Sequence, residues 1–197
     1  MRTCALLNNN PLWYQRVLCA DLNGATSFRR FWLLPLAALF CTNAISGQSS
    51  SVTDDKTVQQ INIRGSAERI FDALTKPNQV VKWWGTEGRF QAKDFESDLR
   101  VGGKWMINVD ARGRQVLAGG EYRTVERPQL LVFTWIRRGE EEDPAETTVR
   151  IDLEEGGPGI TTVRVTHSGL VTDALRRRNG GWPLILTLLQ SFIEGQS

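Results

Sequence analysis

The sequence predicts an α+β domain over residues 56–197, in which a curved antiparallel sheet of about six to seven strands wraps a long C-terminal helix and two short helices follow the first strand. Three observations carry this. Hydrophobic residues keep a helical period up to about residue 85 and then switch to the two-residue period of strands. Six strand candidates follow in an unbroken series, separated by Gly, Pro or charged turns. The helical period then returns in the last stretch, where Trp182, Ile185, Leu186, Leu189, Phe192 and Ile193 fall on one stripe. A helix with such a stripe needs a concave apolar face to bury it, and a curved sheet supplies one.

The first strand is "TVQQINIRG", which sets Gln59, Ile61 and Ile63 against Val58, Gln60 and Asn62. "SAERIFDALTKP" then reads as a helix with Ser66 as its N-cap, Glu68 in the first turn, and Ile70, Phe71 and Leu74 on one face. Pro77 ends that helix and opens a second, "PNQVVKWWG", which Gly85 stops. The six strands that follow are "RFQAKDFESDL", "GKWMINV", "QVLAGGEYRTV", "QLLVFTWIRR", "ETTVRIDLEE" and "ITTVRVTH". Alternation is cleanest where Thr147, Val149, Ile151 and Leu153 oppose Thr148, Arg150, Asp152 and Glu154, as in a sheet with one dry and one wet face. Gly102-Gly103 and Gly119-Gly120 mark bends or bulges of that sheet. Neither pair has the spacing of a dinucleotide-binding loop.

Before the domain, residues 1–47 read as a leader and 48–55, "QSSSVTDD", as a flexible linker. Arg29-Arg30, the ten-residue apolar run from Phe31 to Phe40, and Ala44-x-Ser46 follow the order of a secretory signal. The run is shorter than the roughly 20 residues a membrane-spanning helix needs, so the mature chain is expected to have no stable membrane anchor. The expected location is secreted or periplasmic, or cytoplasmic if the signal is not used. The 28 residues before Arg29 fit no targeting pattern, and the true start is expected near Val17 or Leu22. Phe40 makes "ALFC" a poor lipid-attachment box, and the arginine pair is a weak twin-arginine signal.

The formal net charge is +2, but residues 1–47 hold four arginines and one aspartate, which leaves 20 basic and 21 acidic side chains for the rest. A near-neutral domain has no general pull toward nucleic acid. Cys4, Cys19 and Cys41 all lie in the leader, so the domain has neither a thiol nucleophile nor thiolate ligands. With one histidine, His167, a protein-built metal site is not expected, and no cofactor is implied.

The runs "SAERIFDALTKPNQVVKWWG", "DLRVGGKW", "GGEYRTVERPQLLVFTW", "TTVRIDLEEGGPGITTVRVTHSGL" and "GGWPLILTLL" together resemble the START-like helix-grip (SRPBCC) superfamily. Within it, they are most similar to the branch of the C-terminal domain of the activator of Hsp90 ATPase homologue. The resemblance spans roughly residues 57–194 and implies a cavity between the sheet and the long helix. It leaves the activity open, because the superfamily includes lipid carriers, hormone and polyketide binders, aromatases and cyclases. Two departures stand out. The N-terminal domain that accompanies this module in the chaperone activator has no counterpart here, so stimulation of that ATPase is not expected. "RRRNGGWPLIL" places Gly180, Gly181 and Pro183 where the family's helix runs unbroken, so a break or kink is expected there.

The candidate ligand-binding residues are Trp84, Trp105, Phe133, Trp135, His167, Trp182 and Leu186. Aromatic faces with a few polar groups make a small-molecule site, yet the same residues also fill solid cores. His167 ends an alternating strand on its apolar side. It reads either as a pocket residue that contacts a ligand or moves a proton, or as a core histidine hydrogen-bonded to a neighbour. No acidic residue shares its strand face, although Glu121 or Asp152 approaching from other strands would supply a partner. The acidic run "GEEEDPAE", residues 139–146, and the basic triplet Arg176–Arg178 read as solvated surface, the triplet alternatively as a rim for an anionic head group or an acidic partner. The expected function is therefore binding of a small hydrophobic or amphipathic ligand, more as carrier or sensor than as enzyme. The alternatives are a co-chaperone-like protein-interaction module and a cyclase- or hydrolase-like enzyme using His167.

Overall fold

The computed structural model describes residues 49–53, 55–138 and 145–195. The chain divides into Met1–Thr42 and Asn43–Ser197, and all described residues belong to the second unit. The leader, its signal and cleavage features, the cysteines and most of the acidic run at 139–146 lie outside the described residues.

Nine strands form one antiparallel sheet, β1 Ser49–Thr53, β2 Lys56–Arg64, β3 Gly85–Thr86, β4 Phe90–Ser97, β5 Lys104–Ala111, β6 Arg114–Glu126, β7 Leu130–Arg138, β8 Thr147–Gly157 and β9 Ile160–Ser168. Their spatial order is β1-β2-β9-β8-β7-β6-β5-β4-β3. Two short helices, α1 Ala67–Thr75 and α2 Pro77–Trp83, follow β2, and α3 Asp173–Arg178 and α4 Trp182–Glu194 close the domain. This is the helix-grip arrangement, with more strands than the six to seven expected. The additional strands are β1 and the two-residue β3. Ser49–Thr53, expected as linker, pairs with β2 from Ser49↔Gln60 to Thr53↔Lys56. Backbone groups can complete a ladder without an alternating apolar pattern, which is why a serine-rich stretch hides a strand.

Local chemistry sets the helix ends. Ser66 Oγ accepts the Arg69 backbone N–H at 3.3 Å, capping α1. Pro77 starts α2 directly after the α1 cap residue Lys76, and Trp83 donates its indole N–H back to the Ala73 carbonyl at 2.9 Å, locking the two helices together. The expected break before the last helix is present. α3 ends at Arg178, Gly181 caps α4, and Pro183 occupies its first turn, where a missing N–H costs nothing. Trp182, Ile185, Leu186, Leu189 and Ile193 turn inward from α4. The far end of α4 is tied to β2, where the Arg64 backbone N–H meets Glu194 Oε1 and Gln190 Nε2 donates to the Asn62 carbonyl, both at 3.0 Å.

Curvature comes from bulges and close backbone approach. The β6–β7 ladder shifts register between Tyr122 and Thr124. Beside that shift a Cβ on Gly120 would sit 1.9 Å from the Thr134 carbonyl oxygen, so only glycine lets the two backbones meet. Thr134 Oγ1 accepts the Glu121 backbone N–H at 3.0 Å, taking over a bond the bent ladder drops.

Candidate functional site

The inner faces of β5, β6 and β7 grade from core to mouth along each strand. On β5 the series is Trp105, Ile107, Val109, Ala111, with the first two buried and the last two half-buried. On β7 it is Phe133, Trp135, Arg137. The aromatic rings are continuous. Trp105 lies 5.2 Å from Phe133 and 5.1 Å from Trp135, and Trp135 lies 5.8 Å from Trp182 and 6.2 Å from Trp84, centroid to centroid.

This cluster divides the interior in two. On the core side a void of about 30 Å³ remains among Trp105, Phe133, Tyr122, Phe95 and their aliphatic neighbours. That is room for a water or two, too little for a small-molecule ligand. On the other side, toward the α3–α4 break, an open cavity of about 340 Å³ lies between α4 and the sheet. Its volume falls within the ~300–1,000 Å³ range of small-molecule sites. Trp84, Phe90, Trp135, Trp182 and Ile185 form its apolar wall with the ends of β5 and β6, and Arg89, Arg114, Arg137, Arg178 and Asn179 also line it.

Of the seven residues singled out from sequence, Trp84, Trp135, His167 and Trp182 lie at the open cavity. Trp105 and Phe133 do not. They line the small void on the core side, because they occur one and two strand steps deeper than the mouth. Leu186 borders neither space and is 1% exposed, a core residue of α4. Arg89, Arg114 and Arg137 escaped the sequence reading, although Arg137 continues the inward phase of Phe133 and Trp135, and that alternation was the available signal. Arg178 belongs to the basic triplet whose alternative reading was a rim for an anionic head group or an acidic partner.

His167 is the best-defined member. It is 1% exposed and both ring nitrogens are engaged. Trp182 donates its indole N–H to Nδ1 at 3.0 Å, and Nε2 lies 2.8 Å from Thr147 Oγ1. An indole N–H can only donate, so Nδ1 accepts and the neutral ring carries its proton on Nε2, which donates to Thr147. Thr147 then passes its own hydroxyl proton to the Trp135 carbonyl at 3.0 Å. The chain of bonds runs in one direction and satisfies both imidazole nitrogens and the Thr147 hydroxyl. Burial pushes the His167 pKa down to about 4, and a proton on Nδ1 would also face the Trp182 donor. A base needs an open nitrogen near its substrate, and His167 presents none. The two carboxylates considered as its partners are engaged elsewhere, Glu121 with Arg123 at 2.7 Å and Asp152 with Arg150. The imidazole joins β9, β8 and β7 to the start of α4 and so fixes one wall of the cavity.

The basic triplet is also divided. Arg176 holds Asp173 and the Leu170 carbonyl, each at 2.7 Å, whereas Arg178 reaches the cavity. Its carbonyl accepts from Arg137 Nη1 at 3.0 Å, which connects the end of β7 to the end of α3. The buried indole N–H of Trp135 has no hydrogen-bond acceptor.

Solved structures share this architecture. A protein from Chromobacterium violaceum superposes with a TM-score of 0.61 at 24% identity, over 71% of this chain and 98% of its own. One from Mycobacterium smegmatis gives 0.64 at 18% identity, over 76% and 94%. A third, from Nitrosomonas europaea, gives 0.60 at 18% identity, over 73% and 97%. At these identities the likeness concerns the fold. No curated protein matches the chain. The family model described as activator of Hsp90 ATPase homolog 1-like protein matches residues 64–194, and the chain belongs to that family.

Proposed function

We propose that the domain binds a small apolar or amphipathic molecule in the open cavity between α4 and the ends of β5, β6 and β7, without catalysing its conversion. The observation that carries this is the 340 Å³ space walled by Trp84, Trp135 and Trp182, against a core-side void of only about 30 Å³. The engagement of both nitrogens of His167 favours a carrier or sensor over an enzyme using that residue. Among the described residues no helix is long and apolar enough to cross a membrane. A secreted or periplasmic setting is part of the same proposal and rests on the leader's signal-like order alone.

Apolar contact sets a modest affinity. Burying about 300 Å² of ligand surface at ~25 cal/mol/Å² gives a gross ~7.5 kcal/mol. Micromolar binding requires about 8.2 kcal/mol net of association costs. A ligand held by this wall alone therefore binds more weakly than micromolar, and a polar anchor is what raises it.

Three tryptophans at the cavity make the test direct. Titration with the neutral dye Nile red should quench or shift intrinsic fluorescence and saturate at one site, and Val109→Trp, which fills the cavity from β5, should abolish the effect. Dye binding that is absent, or that survives Val109→Trp unchanged, contradicts the proposal.

A further inference from the structure

We infer that the Trp135 ring is a gate between the open cavity and the core-side void, and that the site takes an unbranched apolar chain long enough to push it aside. This rests on the proposed binding role and specifies its ligand class. Trp84, Ile107, Trp135 and Trp182 line both spaces, so the wall between them is one side chain thick. Three indoles of the ring cluster are tied through their N–H groups. Trp83 donates to the Ala73 carbonyl at 2.9 Å, Trp105 to the Thr134 carbonyl at 3.2 Å and Trp182 to His167 Nδ1 at 3.0 Å. Trp135 differs. Its indole N–H is buried without an acceptor, although the residue as a whole is only half-buried and borders the cavity. Its backbone is fixed, because its carbonyl accepts from Thr147 and the two residues pair in the β7–β8 ladder. Any motion is therefore confined to the side chain.

A buried donor with no acceptor disfavours the rotamer that holds it there. Turning the Trp135 ring out of the wall breaks no hydrogen bond, whereas Trp105 and Trp182 each lose one if they turn. The space the indole leaves joins the 340 Å³ cavity to the 30 Å³ void in one longer channel, with Leu131, Phe133 and Tyr122 at its deep end. The gain is in depth, since a ring that leaves the wall takes up room on the open side. A compact ligand draws no advantage from such a channel. An extended chain gains about fourfold in affinity for each methylene it buries. A ligand of that shape makes a minor conformation of the ring the dominant one.

The experiment measures displacement of Nile red by hexan-1-ol, octan-1-ol, decan-1-ol and dodecan-1-ol. It also follows the Trp135 indole N–H by nitrogen-15 NMR, with Trp135→Phe identifying the signal. Affinity is expected to keep rising past octan-1-ol, so that dodecan-1-ol binds roughly tenfold more tightly or better. Dodecan-1-ol should move the Trp135 indole signal well beyond any shift that hexan-1-ol causes. Leu131 borders the deep void and not the open cavity, so Leu131→Phe should abolish the added affinity of the long chain and leave hexan-1-ol binding intact. An affinity that levels off at octan-1-ol, or alcohols that fail to displace bound Nile red, overturns the inference and leaves the cavity proposal standing. So does a rise in affinity that moves the indole signal no further than hexan-1-ol does, or one that Leu131→Phe leaves unchanged. Where Leu131→Phe fails to fold, the wild-type indole signal decides. If Nile red itself does not bind, this inference and the cavity proposal fall together.

Discussion

Trp182 and His167 lie 15 positions apart in sequence and meet through one hydrogen bond, indole N–H to Nδ1 at 3.0 Å. That bond closes α4 onto β9 at the point where the helix breaks from α3, and it sets the imidazole tautomer for the bonds beyond it. The solitary histidine of the domain is thereby a fastener of the cavity wall.

Removing the fastener should cost stability. His167→Ala leaves a cavity and strips partners from Trp182 and Thr147, and is expected to destabilise by about 2–4 kcal/mol. Trp182→Phe leaves Nδ1 buried and unsatisfied for about 1–3 kcal/mol before any loss of packing. Urea denaturation followed by tryptophan fluorescence measures both.

The same residue predicts a pH dependence. In the unfolded chain His167 takes a proton near its ordinary value of 6.5, but in the folded state only near 4. Between those values the unfolded state binds more protons, so stability falls as pH drops from about 6.5 to about 4 and changes little above that window. The loss attributable to this group is on the order of 3 kcal/mol. His167→Gln, whatever its stability at pH 7.5, should show a shallower decline over that window. An equal decline in both proteins would remove His167 as the cause. Nitrogen-15 chemical shifts should report a neutral ring protonated at Nε2 at pH 6.

Two glycines test the origin of the curvature. Gly120→Ala brings a methyl within 1.9 Å of the Thr134 carbonyl oxygen and should cost several kcal/mol or prevent folding. Gly157, on β8, has nothing within 4 Å of an added Cβ, and Gly157→Ala should change stability by less than about 1 kcal/mol. Thermal unfolding of the pair distinguishes a backbone clash from a general intolerance of substitution.

The surface ion pairs are expected to matter little. Arg127 bridges Glu68 and Asp72 from α1 and lies over the Phe71 ring at 5.4 Å, yet its side chain is 41% exposed. Arg127→Ala should leave the urea denaturation midpoint nearly unchanged, with any loss diminished in high salt. A larger loss would show that its packing on Phe71 counts for more than its charge.

Much of this fold was legible because its signals are local. Ser66 caps α1, Pro77 divides two helices, and Gly180, Gly181 and Pro183 interrupt the last one as their chemistry requires. The inward phase of β8 and β9 followed from alternation, which put His167 on the inner face. Depth along a strand is not local. Trp105, Phe133 and Trp135 share the inward phase, and only the closure of the sheet over α4 decides that Trp135 borders the opening while the other two fill the core. Arg89, Arg114 and Arg137 likewise escaped notice because they lie far apart in sequence and converge only when the strands pair. β1 was hidden because its pairing is made by backbone groups, to which a serine-rich sequence gives no clue.

The claim on which the account depends is that the space beside Trp135 and Trp182 holds a ligand. Native mass spectrometry of the protein purified from its own host tests this most directly. Wild-type protein should carry an added small-molecule mass that is lost on denaturation and missing from Val109→Trp. Bare wild-type spectra together with failure to bind Nile red, or an added mass that Val109→Trp leaves undiminished, would contradict it.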